Sequence, residues 1–350
     1  MALNIDAIQT ALNDTFMEPL KDLIPRSNPF LNALTKRGVN GDKIRVKVKL
    51  SSDHSARPIA DGTQVNTVGT EKATYEGGSL DWSTYVSTFE VPARLLASLS
   101  DQPGALGNIF KAEVEDAAKD LADRIAVDLW KGSTANGLVG IQAAISSGGT
   151  YMGFDRTQAA YSKLRSVTVD HSAAELSTNA LFSLDDQYFS ANYYGFREQP
   201  GKFTGFCTPE VLTKYSRLFT SIDLGSLSTA HFVNQANSTG DLGGSSIGFL
   251  GVPFQRTHQI DLTGDTANTG RLYIMNMSEL FLATLDPTGD AAAQALMGAQ
   301  SAPVVDGINA EIIMLPVDGE RLRGYVRTYT QLVVPSPREA GMVLKNIKTN

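Results

Sequence analysis

Cysteine is almost absent. Cys207 is the one thiol in 350 residues, so no disulfide can close within the chain and nothing points to an oxidising compartment. A small, buried, unreactive thiol is expected. Histidine is scarce too: His54, His171, His231 and His258 lie far apart, none belongs to an H-E-x-x-H helix, and none stands at a zinc-ligand spacing from Cys207. Neither a metal nor any other cofactor is expected. No basic residue precedes Lys21 and no apolar core segment follows it, so a secretory signal is not expected, and no run of about 18 apolar residues exists to cross a membrane as a helix. Cytosolic synthesis follows as the expectation. Positive charge is in deficit, with 30 Lys and Arg against 37 Asp and Glu for a net charge of −7. That is the wrong sign for a general nucleic-acid binder, which needs a concentrated cationic surface to displace counterions.

The composition, 42% hydrophobic and 19% charged, is that of a globular protein with one large or two ordinary domains. In Lys43-Ile44-Arg45-Val46-Lys47-Val48-Lys49-Leu50 every odd position is cationic and every even one aliphatic. That strict period of two predicts a strand with four charges on one face. A return strand is expected over Trp82 to Val91, and the stretch between is punctuated by Pro58, Asp61-Gly62, Gly69 and Gly77-Gly78. The whole reads as a long two-stranded ribbon, which is marginal in water unless something covers its apolar side. Loops longer than about 12–15 residues usually reach out of a compact domain to do something. Cover for Ile44, Val46, Val48 and Leu50 is therefore expected from a second copy of the chain. The lysines have three readings: protection of an exposed edge against aggregation, a salt-sensitive contact with an acidic neighbour, or a local contact with nucleic acid.

Before the ribbon, Ile5, Ile8, Leu12 and Phe16 recur at helical spacing after Asn4, and Pro19, Pro25, Asn28-Pro29 and Gly38 to Gly41 interrupt the chain. The first forty residues thus read as an arm with short helices. After it, Ile109, Phe110, Val114, Ala117, Ala118, Leu121, Ile125 and Leu129 define one face of a long helix ending at Gly132. Lys111/Glu115, Glu115/Lys119 and Asp120/Arg124 stand at i,i+4 spacing. With Glu113, Asp116, Asp120 and Asp123 among its acids, the helix is net acidic and complements the cationic ribbon of a neighbour. Further helices are expected over Ser177 to Tyr194 and from Pro209 to Phe219. Strands are expected at Lys202 to Cys207, Phe249 to Thr257, Arg271 to Met275, Glu279 to Leu285, Ile308 to Leu315 and Arg323 to Val334. The fold class is α+β.

Catalytic signatures are weak. Gly244-Ser245-Ser246-Ile247-Gly248 matches G-x-S-x-G, but no strand pattern precedes it and no helix pattern follows, so Ser246 lacks the tight turn a nucleophile needs. Gly195 to Lys202 misses the phosphate-loop spacing, and Phe203 stands where a hydroxyl is required. No carboxylate pair stands out in an apolar setting that splits its pKa values. An enzyme is not expected.

The order of elements resembles the major capsid proteins of tailed bacteriophages, with their HK-ninety-seven-like shell fold. Leu129-Trp130-Lys131-Gly132, Asn136-Gly137-Leu138-Val139-Gly140-Ile141 and Thr150-Tyr151-Met152-Gly153-Phe154-Asp155-Arg156-Thr157 are similar to a stretch common after that family's long helix. Gly324 to Val334, Pro337-Arg338 and a last strand at Met342 to Ile347 also look like family members. The resemblance implies an N-terminal arm (1–41), an extended loop (42–91) and a peripheral domain (92–165) with a spine helix over 105–131. An axial domain (166–265), further peripheral strands (266–335) and a C-terminal strand (336–350), placed with the axial domain, complete it. It further implies hexamers and pentamers of one chain, assembled in the host bacterial cytoplasm into the icosahedral shell of a virion enclosing double-stranded DNA without reading its sequence. Lys43, Arg45, Lys47, Lys49, Glu113, Asp116, Asp120 and Asp123 are the candidate contact residues between copies. Portal, scaffold and decoration proteins are implied partners, the scaffold separate or dispensable because the chain begins at the arm, and Lys72 is a conceivable crosslink donor. The alternatives are an encapsulin nanocompartment shell of the same fold, holding an enzyme in place of DNA, and a serine hydrolase using Ser246.

Overall fold

The computed structural model describes residues 29–50, 75–92, 103–220, 248–285, 304–315 and 321–349, apart from positions 134, 136, 197, 306 and 307. The helix pattern of residues 4–24, the loop residues 51–74 with Lys72, and the Gly/Ser-rich stretch with Ser246 lie outside the described residues. Along the chain, helix α1 (Pro29–Ala33) leads into strands β1 (Thr35–Val39), β2 (Ile44–Lys49), β3 (Tyr75–Leu80) and β4 (Ser83–Pro92). The long helix α2 (Pro103–Lys131) is followed by α3 (Ile141–Ala144), the short hairpin β5 (Thr150–Tyr151) and β6 (Phe154–Asp155), and β7 (Val167–Asp170). Next come α4 (Thr178–Asn192), β8 (Phe203–Cys207), α5 (Pro209–Thr220), β9 (Gly248–Phe249), β10 (Val252–Arg256), β11 (Thr269–Asn276) and β12 (Phe281–Leu285). Strands β13 (Val304–Val305), β14 (Ile308–Met314) and β15 (Arg321–Val333), helix α6 (Pro337–Ala340) and β16 (Gly341–Lys348) complete the described chain.

Two six-stranded sheets organise these elements. The first runs β1-β12-β15-β14-β13, with β4 along the other side of β15; the second runs β7-β16-β11-β8-β10-β9. All eight residues of β11 are buried, as its central place between β8 and β16 demands. Arg271, at its start, is reconciled with that burial by a two-pronged ion pair to Asp265, one prong at 2.7 Å, with both side chains under 5% exposed. The 29 residues of α2 make a rod of about 43 Å. Val114, Ala118, Leu121, Ile125 and Leu129 bury its inner face. The rod ends where the Gly132 N–H bonds the Asp128 carbonyl at 2.6 Å and Gly132 turns to φ +82°.

One apolar cluster joins α1, the ribbon, β4, α2 and β15; a second joins α4, α5 and the second sheet. Where the first cluster reaches the second sheet, the Trp130 ring at the end of α2 lies 4.7 Å from that of Phe30, 5.8 Å from that of Phe206 on β8 and 5.4 Å from that of Tyr273 on β11, in tilted and edge-on contacts.

Four expectations are corrected here. The ribbon's return strand is β3, whose Tyr75–Leu80 pair with β2, whereas residues 83–92 leave the ribbon and pair along β15. Gly77-Gly78 is strand and not turn, because a side chain at Gly78 would come within 2.8 Å of Met152 and Phe154, so the glycine is set by close approach. Residues 29–39 are packed against their own chain: Phe30 and Leu31 are fully buried, and β1 pairs in parallel with β12. Finally, Phe249 to Thr257 is two strands, since Leu250 and Gly251 take positive φ and turn β9 back onto β10.

Candidate assembly interface

The ribbon carries the alternation its sequence predicts. Ile44, Val48 and Leu50 point inward and are nearly inaccessible, Val46 is half-buried, and Lys43, Arg45, Lys47 and Lys49 are all exposed. The inward face belongs to the chain's own core, together with Leu80, Tyr151, Met152 and Phe154. This overturns the expectation that only a second copy shelters it. Burying Ile44, Leu50 and Leu80 alone contributes on the order of 5–9 kcal/mol before ordering costs, enough to hold this part of the ribbon down. Polar ties add to it: Ser79 N–H bonds the Met152 carbonyl at 3.2 Å, and the Tyr161 hydroxyl bonds Glu76 at 3.0 Å. At the root, Lys43 pairs with Asp81 at 2.8 Å and Trp82 Nε1 donates to the Gly41 carbonyl at 2.8 Å. Beside Asp81 the Lys43 ammonium is held above its ordinary pKa.

The cations are therefore not equivalent. Lys43 is committed to Asp81, and Lys49 lies 5.9 Å from the Tyr75 ring. Arg45 and Lys47 form no ion pair among the described residues. On α2, Glu113, Asp116, Asp120 and Asp123 are all exposed on the side away from the core. No ion pair among the described residues joins these acids to the ribbon cations, so the two sets are presented separately. The expected Asp120/Arg124 pair is replaced: Arg124 turns to Asp128 at 3.2 Å, and the buried Asp128 also accepts from the Tyr85 hydroxyl at 3.0 Å. Asp128 outcompetes Asp120 because it already sits at the sheet surface, where the Tyr85 hydroxyl needs an acceptor.

Two buried polar residues that composition did not single out hold these surfaces in place. Arg156, 1% exposed, spends its guanidinium on the carbonyls of Ala143, Ala144, Ser146, Gly148 and Gly149 at 2.6–3.3 Å. It rivets the turn that carries the β5/β6 hairpin under the ribbon, and burial lowers its pKa. Gln331, fully buried, donates to the carbonyls of Asp81 and Gly137 and accepts from the N–H groups of Val139 and Leu332. It ties β15 to the ribbon root and to the turn after α2. Neither was marked in the sequence: Arg156 sits among polar neighbours, Asp155 and Thr157, and a single glutamine before Leu332-Val333-Val334 carries no periodicity to read.

Chemical groups elsewhere are subdued. Burial pushes the Cys207 thiol up to about 12. His171 bonds the Glu175 carbonyl at 2.8 Å, while His258 is exposed; His54 and His231 lie outside the described residues. Among the described residues no group of three or more His, Cys, Asp or Glu side chains could hold a metal ion, and no helix is long and apolar enough to cross a membrane. Of the G-x-S-x-G segment only Gly248 is described, and it opens a strand.

No protein-family model matches the chain, and no curated protein matches it by sequence. Solved structures do. A capsid subunit of cyanophage A-1(L) superposes with a TM-score of 0.66 at 15% identity, covering 91% of this chain and 93% of its own. The encapsulin of the holo-SrpI complex from Synechococcus elongatus PCC 7942 gives 0.56 at 13% identity over 100% and 98%. The capsid of a native GTA particle gives 0.55 at 10% identity over 90% and 89%. Likeness at such low identity is a statement about architecture, and it spans the whole described molecule: this chain has the HK-ninety-seven-like shell fold of phage capsid and encapsulin subunits.

Proposed function

We propose that the chain is a structural subunit that self-associates into a closed icosahedral shell, and that the shell is the capsid of a tailed double-stranded DNA bacteriophage. The observation that carries this reading is the match of shell fold over 91% of the chain to a phage capsid subunit. Exposed charge of opposite sign on two separate elements supports it. Cations on the ribbon and acids on α2 suit a head-to-tail contact between copies, the type that closes rings when its rotation permits. Hexamers and pentamers built this way, with portal, scaffold and decoration proteins as partners, would assemble in the host cytoplasm. The elements also suggest a division of labour. The first sheet with α2 acts as peripheral domain, and the second sheet with α4 and α5 as axial domain, to which β11 and the C-terminal β16 then belong.

Negative-stain microscopy of the purified full-length chain tests the shell directly, and closed particles are expected. Replacing Arg45 and Lys47 with glutamate leaves Lys43 on Asp81, so the ribbon root stays intact. The double variant is expected to fold with unchanged thermal stability and to stop at open or partial assemblies. Normal particles from it would remove the ribbon from the contact.

A second reading rests on the encapsulin superposition, which covers 100% of this chain. In that case the particle is a nanocompartment around an enzyme. Nuclease-protected DNA inside purified particles supports the virus; a co-purifying enzyme in fixed ratio supports the compartment. A serine hydrolase predicts a small soluble species labelled at Ser246 by a phosphonate, and no labelling is expected.

A further inference from the structure

The first sheet has two unlike faces. Towards α2 it presents Gly324, Val326, Thr328 and Thr330 of β15 with Tyr85 and Phe89 of β4, all buried. The opposite face presents Arg321, Arg323, Tyr325, Arg327 and Tyr329 of β15 in unbroken alternation, two of them exposed and three half-buried. Their register partners on β4, Glu90, Thr88, Val86 and Thr84, are all exposed. Arg37 of β1 falls on the same face, because it pairs with Ala283, which pairs with Gln331. Arg37 lies 4.5 Å over the Phe281 ring and Arg327 5.2 Å over the Tyr329 ring. By strand rise and spacing, the Arg321 to Arg327 row runs roughly 20 Å, with Arg37 within roughly 16 Å of Arg327.

We infer that this face is a sequence-independent contact for the phosphate backbone of nucleic acid. Its cations are all arginines, whose planar fork matches phosphate and whose faces can rest on aromatic rings while their edges donate. The ribbon, by contrast, uses mostly lysine. Arg321 and Arg323 share the single carboxylate of Glu90, at 2.7 Å and 3.3 Å. Among the described side chains of this face, four guanidiniums stand with the one carboxylate of Glu90, on a chain whose net charge is −7. Tyr325 and Tyr329 place hydroxyl donors and stacking surfaces between the arginines, the pairing of charge and aromatic found where nucleic acid is held without reading its bases. The contact of one copy is weak, since the rest of the molecule repels phosphate. Many copies lining one wall around a common polyanion sum their contacts, so binding becomes strong only on assembly. That gain rests on the shell reading, whereas the contact itself does not.

The test is the salt dependence of binding between the full-length chain and a duplex DNA fragment of arbitrary sequence. Removing one cation from a phosphate flattens the plot of log affinity against log salt by about one unit. Arg321→Gln/Arg323→Gln/Arg327→Gln is expected to flatten it by about two to three units. The Arg→Lys triple variant retains the slope. Circular dichroism with thermal unfolding checks that each variant folds. An unchanged slope in the glutamine variant overturns the inference. So does displacement of the DNA by polyglutamate as efficient as by competing DNA at equal charge, which would mark a surface for acidic proteins. Particle formation is scored separately by microscopy: wild-type chain that binds DNA but never closes a shell counts against the shell reading and leaves this contact standing.

Discussion

At the scale of single residues, Gly140 is the described glycine most tightly enclosed by backbone. A Cβ there would stand 2.3 Å from the Gly132 nitrogen, backbone against backbone, with no flexible group to give way. Gly140→Ala is expected to lower stability by about 1–3 kcal/mol or more, read from chemical denaturation. Gln331→Leu keeps the volume of the side chain but strands the carbonyls of Asp81 and Gly137 and the Val139 N–H, and should cost at least about 2 kcal/mol. Cys207 offers a pH test. Its folded pKa of about 12 lies above the unfolded value near 8.5. The unfolded chain therefore loses the proton first, and stability that is intact below about pH 8.5 declines as pH rises towards 12. Cys207→Ala should remove part of that decline in pH-dependent thermal unfolding. Iodoacetamide at neutral pH should label the thiol only after denaturation. Such residues were only half legible in the sequence. A lone cysteine is readable as buried, whereas Gly140 and Gln331 owe their importance to chain segments far away, and nothing local announces them.

Elements were far more legible. The alternation of Lys43 to Leu50 and the helical stripe from Val114 to Leu129 each declared their form, because one buried face imposes its period on the sequence. Pairing was less so. Residues 83–92 have the same apolar and aromatic character as a ribbon strand, and only the register with β15, more than two hundred positions away, decides where they go. Arg45 and Lys47 were legible as exposed cations, but the commitment of Lys43 to Asp81 was not. Gly78→Val should lift the ribbon from Met152 and Phe154 without unfolding either sheet. The expected result is faster cleavage within residues 44–80 in limited proteolysis, with little change in the main unfolding transition.

On the scale of the whole molecule, the described surface separates charge by element: cations on the ribbon, acids on the outside of α2, arginines on the far face of the first sheet. If opposite charges join copies, assembly must weaken as salt screens them, since the Debye length falls from about 10 Å at 0.1 M to about 3 Å at 1 M. Light scattering of the assembling chain should therefore show slower and less complete particle growth at high salt. Assembly indifferent to salt would leave apolar contacts as the cause. The fold as a whole could be read because its elements keep a distinctive order, and the shell architecture follows from that order even at 15% identity.

Only Asp81 and Trp82 separate β3 from β4. The ribbon and the first sheet are thus two ends of one nearly continuous beam, strapped at its pivot by Lys43 to Asp81 and by Trp82 to Gly41. A push on β2 and β3 by an adjoining molecule meets a junction of two residues held by two ties, which leaves little slack for a hinge. It must tilt β4, and with β4 the ten register pairs it makes along β15. Curvature in any assembly of such beams would be passed from one member to the next as torque, so the angle between copies is set as much inside each subunit as at the seam between them.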